Sequence, residues 1–198
     1  PARNPSAAIR AGMGFIPEDR RKQGLVIDAS VSRNVAGAIR RTLSRAGLLT
    51  AARENAAAAT WASRLEVKTS ALDMAAATMS GGNQQKVVIA KWLATRPRLL
   101  IIDEPTRGID VGTKAEVHRL LSSLAGEGLA ILMISSELPE VLGMADRVLV
   151  MCEGGITAEL DRAEATAEAV MHAATHAAAH SATGASTHAT TYSGEGTR

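Results

Sequence analysis

Two stretches of the chain carry residue types whose spacing could do chemistry. The first is Leu99-Leu100-Ile101-Ile102-Asp103-Glu104, four aliphatic residues followed by two acids. A short apolar run of this kind reads as a buried strand. Its end sets two carboxylates at the C-terminal edge of a parallel sheet, where α/β folds bind ligands. Asp103 there can hold Mg²⁺, directly or through water, beside the phosphates of a nucleotide. Glu104 can polarise an attacking water. Taken alone, the pattern is shared by many surface strands that end in acids. The second stretch is Met79-Ser80-Gly81-Gly82-Asn83-Gln84-Gln85-Lys86, which leads into the apolar-periodic residues 87–93. Small residues at the mouth of a helix leave backbone N–H groups exposed, and the helix dipole favours an anion there. Ser80 adds a hydroxyl donor. The segment reads as a phosphate-binding helix N-terminus, although a bare Ser-Gly-Gly would serve equally as a plain helix cap.

The elements that must position these residues follow from the apolar pattern. Residues 99–102, 130–134 and 148–151 are each expected to be strands buried on both faces. Between the first two lies a helix whose start signal is Thr113 with Glu116 three residues on, a capping box. Alternation of strand and helix predicts an α/β domain with a largely parallel sheet. Upstream, residues 12–17 form a further short apolar stretch closed by proline, followed by the charged turn Glu18-Asp19-Arg20-Arg21-Lys22. The region 25–78 is mixed and Ala-rich, with helical spacing strongest over 51–65. Trp61 and Leu65 fall four apart on one face of that helix and are expected to anchor a core. Glu153-Gly154-Gly155 predicts a turn, and Asp161 with Glu164 a last helix. Residues 176–198 are poor in large apolar side chains and read as a low-complexity, disordered tail. His172, His176 and His180, spaced by four, could share a helix face and hold a transition metal. No carboxylate or cysteine completes that set, so the low-complexity reading is preferred.

Composition narrows the class. The 198 residues suffice for one domain with a core, and 46% are apolar. No apolar run approaches the roughly 18 residues of a membrane span, so any membrane role passes through a partner. The net charge is +2 and the pI about 9.1, yet the basic residues are scattered and do not interleave with the few aromatics. Nucleic acid is therefore not expected as a partner, since its electrostatic footprint is a basic patch. The single Cys152 cannot form an internal disulfide, which fits a reducing cytoplasm. The first residues lack the apolar stretch of a signal peptide. The chain opens on Pro1 and runs almost at once into an apparent core strand, so a missing N-terminal part is expected.

The two chemical stretches, in this order and about twenty residues apart, resemble the ATP-binding cassette (ABC) ATPase family. Residues 79–84 are similar to its signature motif, 99–104 to its Walker B strand with the catalytic glutamate, and Gly108-Ile109-Asp110 to its D-loop. Four longer strings resemble the form found in ribose-type and other monosaccharide importers. They are residues 17–25, 80–86, 103–110 and 134–141, and the resemblance runs over about residues 11–175.

The resemblance implies the C-terminal part of an ABC-type P-loop NTPase domain over 1–175, with a helical subdomain at about 25–78. It implies ATP and Mg²⁺ as ligands and a peripheral place on the cytoplasmic face of the membrane. The implied partners are transmembrane permease subunits, a sugar-binding protein reached through them, and another ABC cassette in the same parent chain. Ser80, Gly81 and Gly82 would clamp the γ-phosphate of a nucleotide held by the opposite cassette, with Gln84 flanking. Asp103 would serve the metal, Glu104 the water, and Asp110 would link the two sites. The strings are similar to the second cassette of such a pair, in which two departures stand out: Ser136 where a switch histidine is usual, and Glu18 where a Q-loop glutamine is usual. No G-x-x-x-x-G-K-[ST] string occurs in the 198 residues. Without that phosphate loop (Walker A), the chain alone is expected not to turn over ATP. A soluble ABC-type ATPase acting on nucleic acid and a truncated non-catalytic remnant are the alternatives.

Overall fold

Three short aliphatic runs, β1 (Met13–Ile16), β2 (Leu99–Asp103) and β3 (Ala130–Ile134), form a parallel sheet in the order β1-β2-β3. The register pairs Ile16 with Ile102 and Asp103 with Ile134, so all three chains leave the sheet at one edge. The computed structural model describes residues 4–175. It divides into two units, Pro1–Ala145 and Asp146–Arg198. The tail at 176–198, with His176 and His180, lies outside the described residues.

In the first unit the helices are α1 (Pro5–Arg10), α2 (Val31–Ala36), α3 (Arg40–Leu43), α4 (Ala51–Arg64), α5 (Gly81–Leu93), α6 (Val111–Gly126) and α7 (Leu138–Met144). A wide turn of π-helix, Arg20–Gly24, follows β1. The core gathers Ile16, Leu100 and Ile102 from the sheet with Val87, Val88 and Ile89 of α5 and Val117 and Leu121 of α6. Right-handed crossovers between parallel strands set successive helices on one face of the sheet when the strand order runs one way. Gly14 shows how closely α5 lies on β1: a Cβ there would fall 3.0 Å from Leu100 Cδ1 and 3.5 Å from Trp92 Cβ.

Burial on both faces, expected for the strands, is not what forms. In β1 and β2 the fully buried positions alternate, Gly14 and Ile16, then Leu100 and Ile102. β3 has no fully buried residue. Met13, Phe15, Leu132 and Ile134 lie 37–48% exposed on the other face, which no described element of this unit covers.

Around the sheet, α4 forms as its spacing predicts, with Leu65 buried just beyond its end and Trp61 packed against the core. Asn34 fastens α2 to the loop before it: its amide donates to the carbonyls of Val26 (2.9 Å) and Ser30 (3.0 Å) and accepts from the N–H of Val26 (2.8 Å). The expected capping box at Thr113 and Glu116 is corrected. α6 starts earlier, at Val111, because Asp110 caps it by accepting from the Thr113 N–H at 3.0 Å. Glu116 instead pairs with Lys86 of α5 at 2.8 Å, and Lys86, 5% exposed, also donates to the Glu66 carbonyl.

The second unit corrects two further expectations. Residues 148–151 do not extend a parallel sheet: β4 (Arg147–Cys152) pairs antiparallel with β5 (Gly155–Asp161). Glu153 and Gly154 both take positive φ, the conformation of a two-residue hairpin turn, and so short a connection can only bring the next strand back antiparallel. Val148 and Val150 are buried, whereas Leu149 and Met151 are exposed. Asp161 ends β5 and Glu164 lies in the turn after it, and the last helix, α8, spans Ala167–Thr175. Thr157 Oγ1 donates to the Ala173 carbonyl at 2.8 Å, tying α8 to β5.

The contact of α5 with α6 leaves no room for a side chain at Gly82, where a Cβ would lie 2.0 Å from Thr113 Cγ2. Overpacking of this kind costs about 1–3 kcal/mol. Gly82→Ala should therefore lower the urea midpoint of the 198-residue chain by an equivalent of about 2 kcal/mol. Adding Thr113→Ser, which removes the methyl and keeps the hydroxyl bound to Asp110, should restore most of it.

Candidate functional site

Each exit from the parallel sheet supplies one of the predicted groups. After β1, Pro17 is buried and Glu18 is exposed, its carboxylate paired with Arg107. Asp19 then caps the π-helical turn, accepting from the N–H groups of Arg21 and Lys22 at 3.1 Å each. The Lys22 N–H is the main cause of its lowered pKa.

After β2 the chain turns sharply. Glu104 has φ +47°, a left-handed conformation costly for a residue with a Cβ. Its N–H donates to the Ile134 carbonyl at 2.8 Å, which extends the ladder to β3 by one bond and holds the strained residue in place. Its Oε1 accepts from the Ser136 N–H at 2.8 Å. Asp103, one residue before, is partly exposed, and among the described residues its carboxylate has no hydrogen bond or ion pair. A single free carboxylate at this edge suits Mg²⁺, which keeps most of its waters and takes one or two protein carboxylates beside phosphate oxygens. No cluster of three or more metal-ligating side chains exists among the described residues, so water and phosphate oxygens would have to complete the shell of such an ion.

After β3, the turn 135–137 is fastened from behind. Ser135 Oγ donates to Glu140 Oε2 at 2.5 Å and accepts from the Glu137 N–H at 3.1 Å. Glu140, with its side chain 2% exposed, also meets His118 Nε2 at 2.7 Å, and Lys114 pairs with Glu137 at 2.5 Å. Two residues of α6 thus hold the turn whose Ser136 N–H holds Glu104.

The predicted phosphate-binding helix forms as α5, running back along the sheet so that its first turn reaches the same edge. Ser80 is its N-cap, with Oγ accepting from the Asn83 N–H (3.4 Å) and the Asn83 side-chain amide (3.0 Å). The first N–H groups of a helix have no partner within it, which at Gly81 and Gly82 leaves donors for an anion. Gln84 is buried, and its amide donates to the carbonyls of Ala76 (3.1 Å) and Met79 (3.2 Å), bracing the turn that presents Ser80. Asp110 caps α6, and the hydroxyl and N–H of Thr113 hold its carboxyl below the usual range.

The structure therefore brings Glu18, Asp103, Glu104 and Ser136 to one sheet edge, with Ser80, Gly81 and Gly82 at the α5 mouth and Asp110 in the loop between them. Sequence reasoning missed the links. Arg20 Nη1 donates to the Arg107 carbonyl (2.8 Å) and Nη2 to the Gly108 carbonyl (3.0 Å), spanning 87 and 88 residues of chain. No local pattern distinguishes Arg20 from the other charges of its turn. Glu140 and His118 were equally silent, since each looks like an ordinary polar residue of an amphipathic helix.

Comparison with known proteins agrees with this geometry. A family model described as "ABC transporter" matches residues 2–107. Ribose import ATP-binding protein RbsA 2 of Streptomyces avermitilis is 62% identical over 162 residues, covering 82% of this chain and 32% of the relative. Ribose import ATP-binding protein RbsA of Rhodococcus jostii is 59% identical over the same length and shares. The chain thus spans about a third of the length of the curated relatives it matches.

Among solved structures, the ATP-binding cassette MJ0796 bound to ADP and Pi superposes with a TM-score of 0.64 at 21% identity, covering 78% of this chain and 65% of that one. A nucleotide-free ATP-binding cassette from an ABC transporter gives 0.67 at 22%, over 80% and 64%. At such identity the likeness establishes the fold, an α/β cassette with a parallel sheet. On the family match over more than half its residues, and on its signature-like helix mouth beside a strand ending in Asp103-Glu104, the chain belongs to the ABC transporter family.

Proposed function

We propose that this chain is the C-terminal part of the ATP-binding subunit of a ribose-type monosaccharide importer, in which ATP hydrolysis is coupled to transport through permease subunits. The observation that carries the proposal is the juxtaposition of the α5 mouth with the Asp103-Glu104 edge, in a chain 62% identical to a ribose import ATP-binding protein. No helix among the described residues is long and apolar enough to cross a membrane. In this reading the subunit sits peripherally on the cytoplasmic face, with the helical residues 25–78 and the Glu18 segment meeting the permease. A sugar-binding protein delivers the substrate to the permease from the other side.

The division of labour follows from what the chain holds. Ser80, Gly81 and Gly82 present a hydroxyl and helix-terminal N–H groups to the γ-phosphate of ATP held by another cassette, completing that site from across the pair. On this chain's own edge, Mg²⁺ bound beside Asp103 would neutralise phosphate charge. Glu104 keeps one carboxylate oxygen on the Ser136 N–H and offers the other to a water, whose proton it can accept as a general base. Ser136 carries no ring nitrogen with which to reach a phosphate, so this second site is the weaker. Asp110, fixed at the start of α6, carries the state of one site toward the other.

Four outcomes test this reading. The 198-residue chain by itself should release no phosphate from ATP above background, because it contains no phosphate loop; steady turnover would refute that division. In the full gene product, Ser80→Ala should lower ATPase kcat by at least ~10-fold, the scale of losing a transition-state donor. Part of any loss of stability there reflects the missing N-cap, about 1 kcal/mol, and is read separately by thermal melting. Glu104→Gln should cost no more than ~3-fold, well below the usual effect of removing a general base; equal, severe losses from both would show that this chain's own site is the main one. Deleting the gene should abolish uptake of a labelled monosaccharide, with unchanged uptake across the pentoses and hexoses counting against an importer.

A further inference from the structure

The turn after β1 is docked on α5 at two points. Gly24 lies against Val88, with a Cβ position 3.0 Å from Val88 Cγ2, and Lys91 Nζ donates to the Gly24 carbonyl at 2.9 Å. Asp19 caps the turn, and the Leu25 N–H closes it on the Arg20 carbonyl at 2.8 Å. The backbone of Arg20 is thereby carried by α5, and its side chain alone crosses to the loop after β2.

There the guanidinium grips two successive carbonyls, those of Arg107 and Gly108, with one Nη each. A planar fork suits this pair, and a lysine ammonium, a single point charge, does not reproduce it. The same Nη2 lies 2.7 Å from where a Cβ would stand on Gly81, and the Gly108 carbonyl lies 3.3 Å from that point. Gly108 has φ +66°, so its carbonyl is turned into the contact by a conformation that glycine adopts freely. The Arg107 side chain pairs back with Glu18. One guanidinium is thus wedged between the first residue of the phosphate-binding helix and the loop that leads to Asp110. Its Nε–H is buried without an acceptor among the described residues, so the two carbonyls are what hold it.

We propose that Arg20 is the positioning residue of the phosphate clamp, fastening the turn at 80–82 and the loop at 107–110 into one body that approaches a nucleotide as a unit. The proposal rests on the ATPase reading above. Arg20 touches no reacting atom in this scheme; it sets where the Gly81 N–H and Asp110 stand relative to each other. Its loss should therefore act on the committed complex and not on nucleotide capture, which belongs to the other cassette's phosphate loop.

The test uses the full gene product carrying Arg20→Met or Arg20→Lys. Both variants should lose at least ~10-fold in ATPase kcat while KM for ATP stays within ~2-fold, the pattern of an interaction realised in the transition state. A second readout needs no activity. Gly81→Ala should lower the melting temperature of the 198-residue chain, and should do so much less in an Arg20→Ala background, where Nη2 no longer occupies the Cβ position. Wild-type kcat in Arg20→Met, or a loss confined to KM, overturns the proposal, as does equal destabilisation by Gly81→Ala in both backgrounds. If the unmutated gene product shows no ATPase at all, the importer reading fails, and the melting coupling then reports a structural tie without the positioning role.

Discussion

At Gly82 the backbone of α5 comes so close to Thr113 that even a methyl group has no place between them, and at Gly81 the neighbouring guanidinium stands where a side chain would begin. Much of the site's geometry depends on this close approach. Two glycines at the mouth of α5 serve two purposes that coincide in space. They leave N–H groups open to an anion, and they let the start of α6 and the loop before it press against the helix. The Lys86–Glu116 pair then ties the two helices together, and the Asp110 cap fixes Thr113 at the start of α6.

The carboxylate side of the edge is organised on a different principle, strain held by hydrogen bonds. Glu104 sits in the left-handed region because its N–H has been drawn to Ile134 of the adjoining strand. Conformations of this kind persist only where the surroundings over-determine them. Here the surroundings are the Ser136 N–H on the carboxylate and, behind it, the Ser135–Glu140–His118 chain anchored in α6. α6 is therefore common to both halves of the site, its first turn meeting the α5 mouth and its middle supporting the turn after β3.

Much of this was legible in the sequence, because the strands that end in chemistry are short aliphatic runs and the α5 mouth is a string of small residues before an apolar helix. The exit points Glu18, Glu104 and Ser136 follow directly once the sheet is parallel. The failures have physical causes. Burial on both strand faces was expected from unbroken aliphatic runs, but only one face of this unit's sheet is covered by its described helices. β4 looked like another parallel strand because its aliphatic residues are contiguous, and β5, Gly-Ile-Thr-Ala-Glu-Leu-Asp, has too mixed an alternation to announce itself. The α6 cap was displaced by three residues because Asp110 and Thr113 are both good capping types, and only tertiary packing chooses between them. Contacts such as Arg20 to Gly108 have no sequence signal, since nothing local ties residues 88 apart.

The Lys86–Glu116 pair also makes the seam between α5 and α6 answerable to protons. The hydrogen bond from Lys86 is the leading cause of the lowered Glu116 pKa, followed by the charges of Lys86 and Lys68. A carboxyl whose folded pKa is depressed contributes stability above its ordinary value, and that contribution drains away as pH falls toward and through the folded value. Acid would then strip the partner from an ammonium that is 5% exposed. A buried cation without its counter-charge is among the costlier states a fold can hold. α5 would thus loosen from α6 at acidities where an exposed ion pair elsewhere on the surface could break with little consequence, giving the chain an acid lability centred on the seam between these two helices.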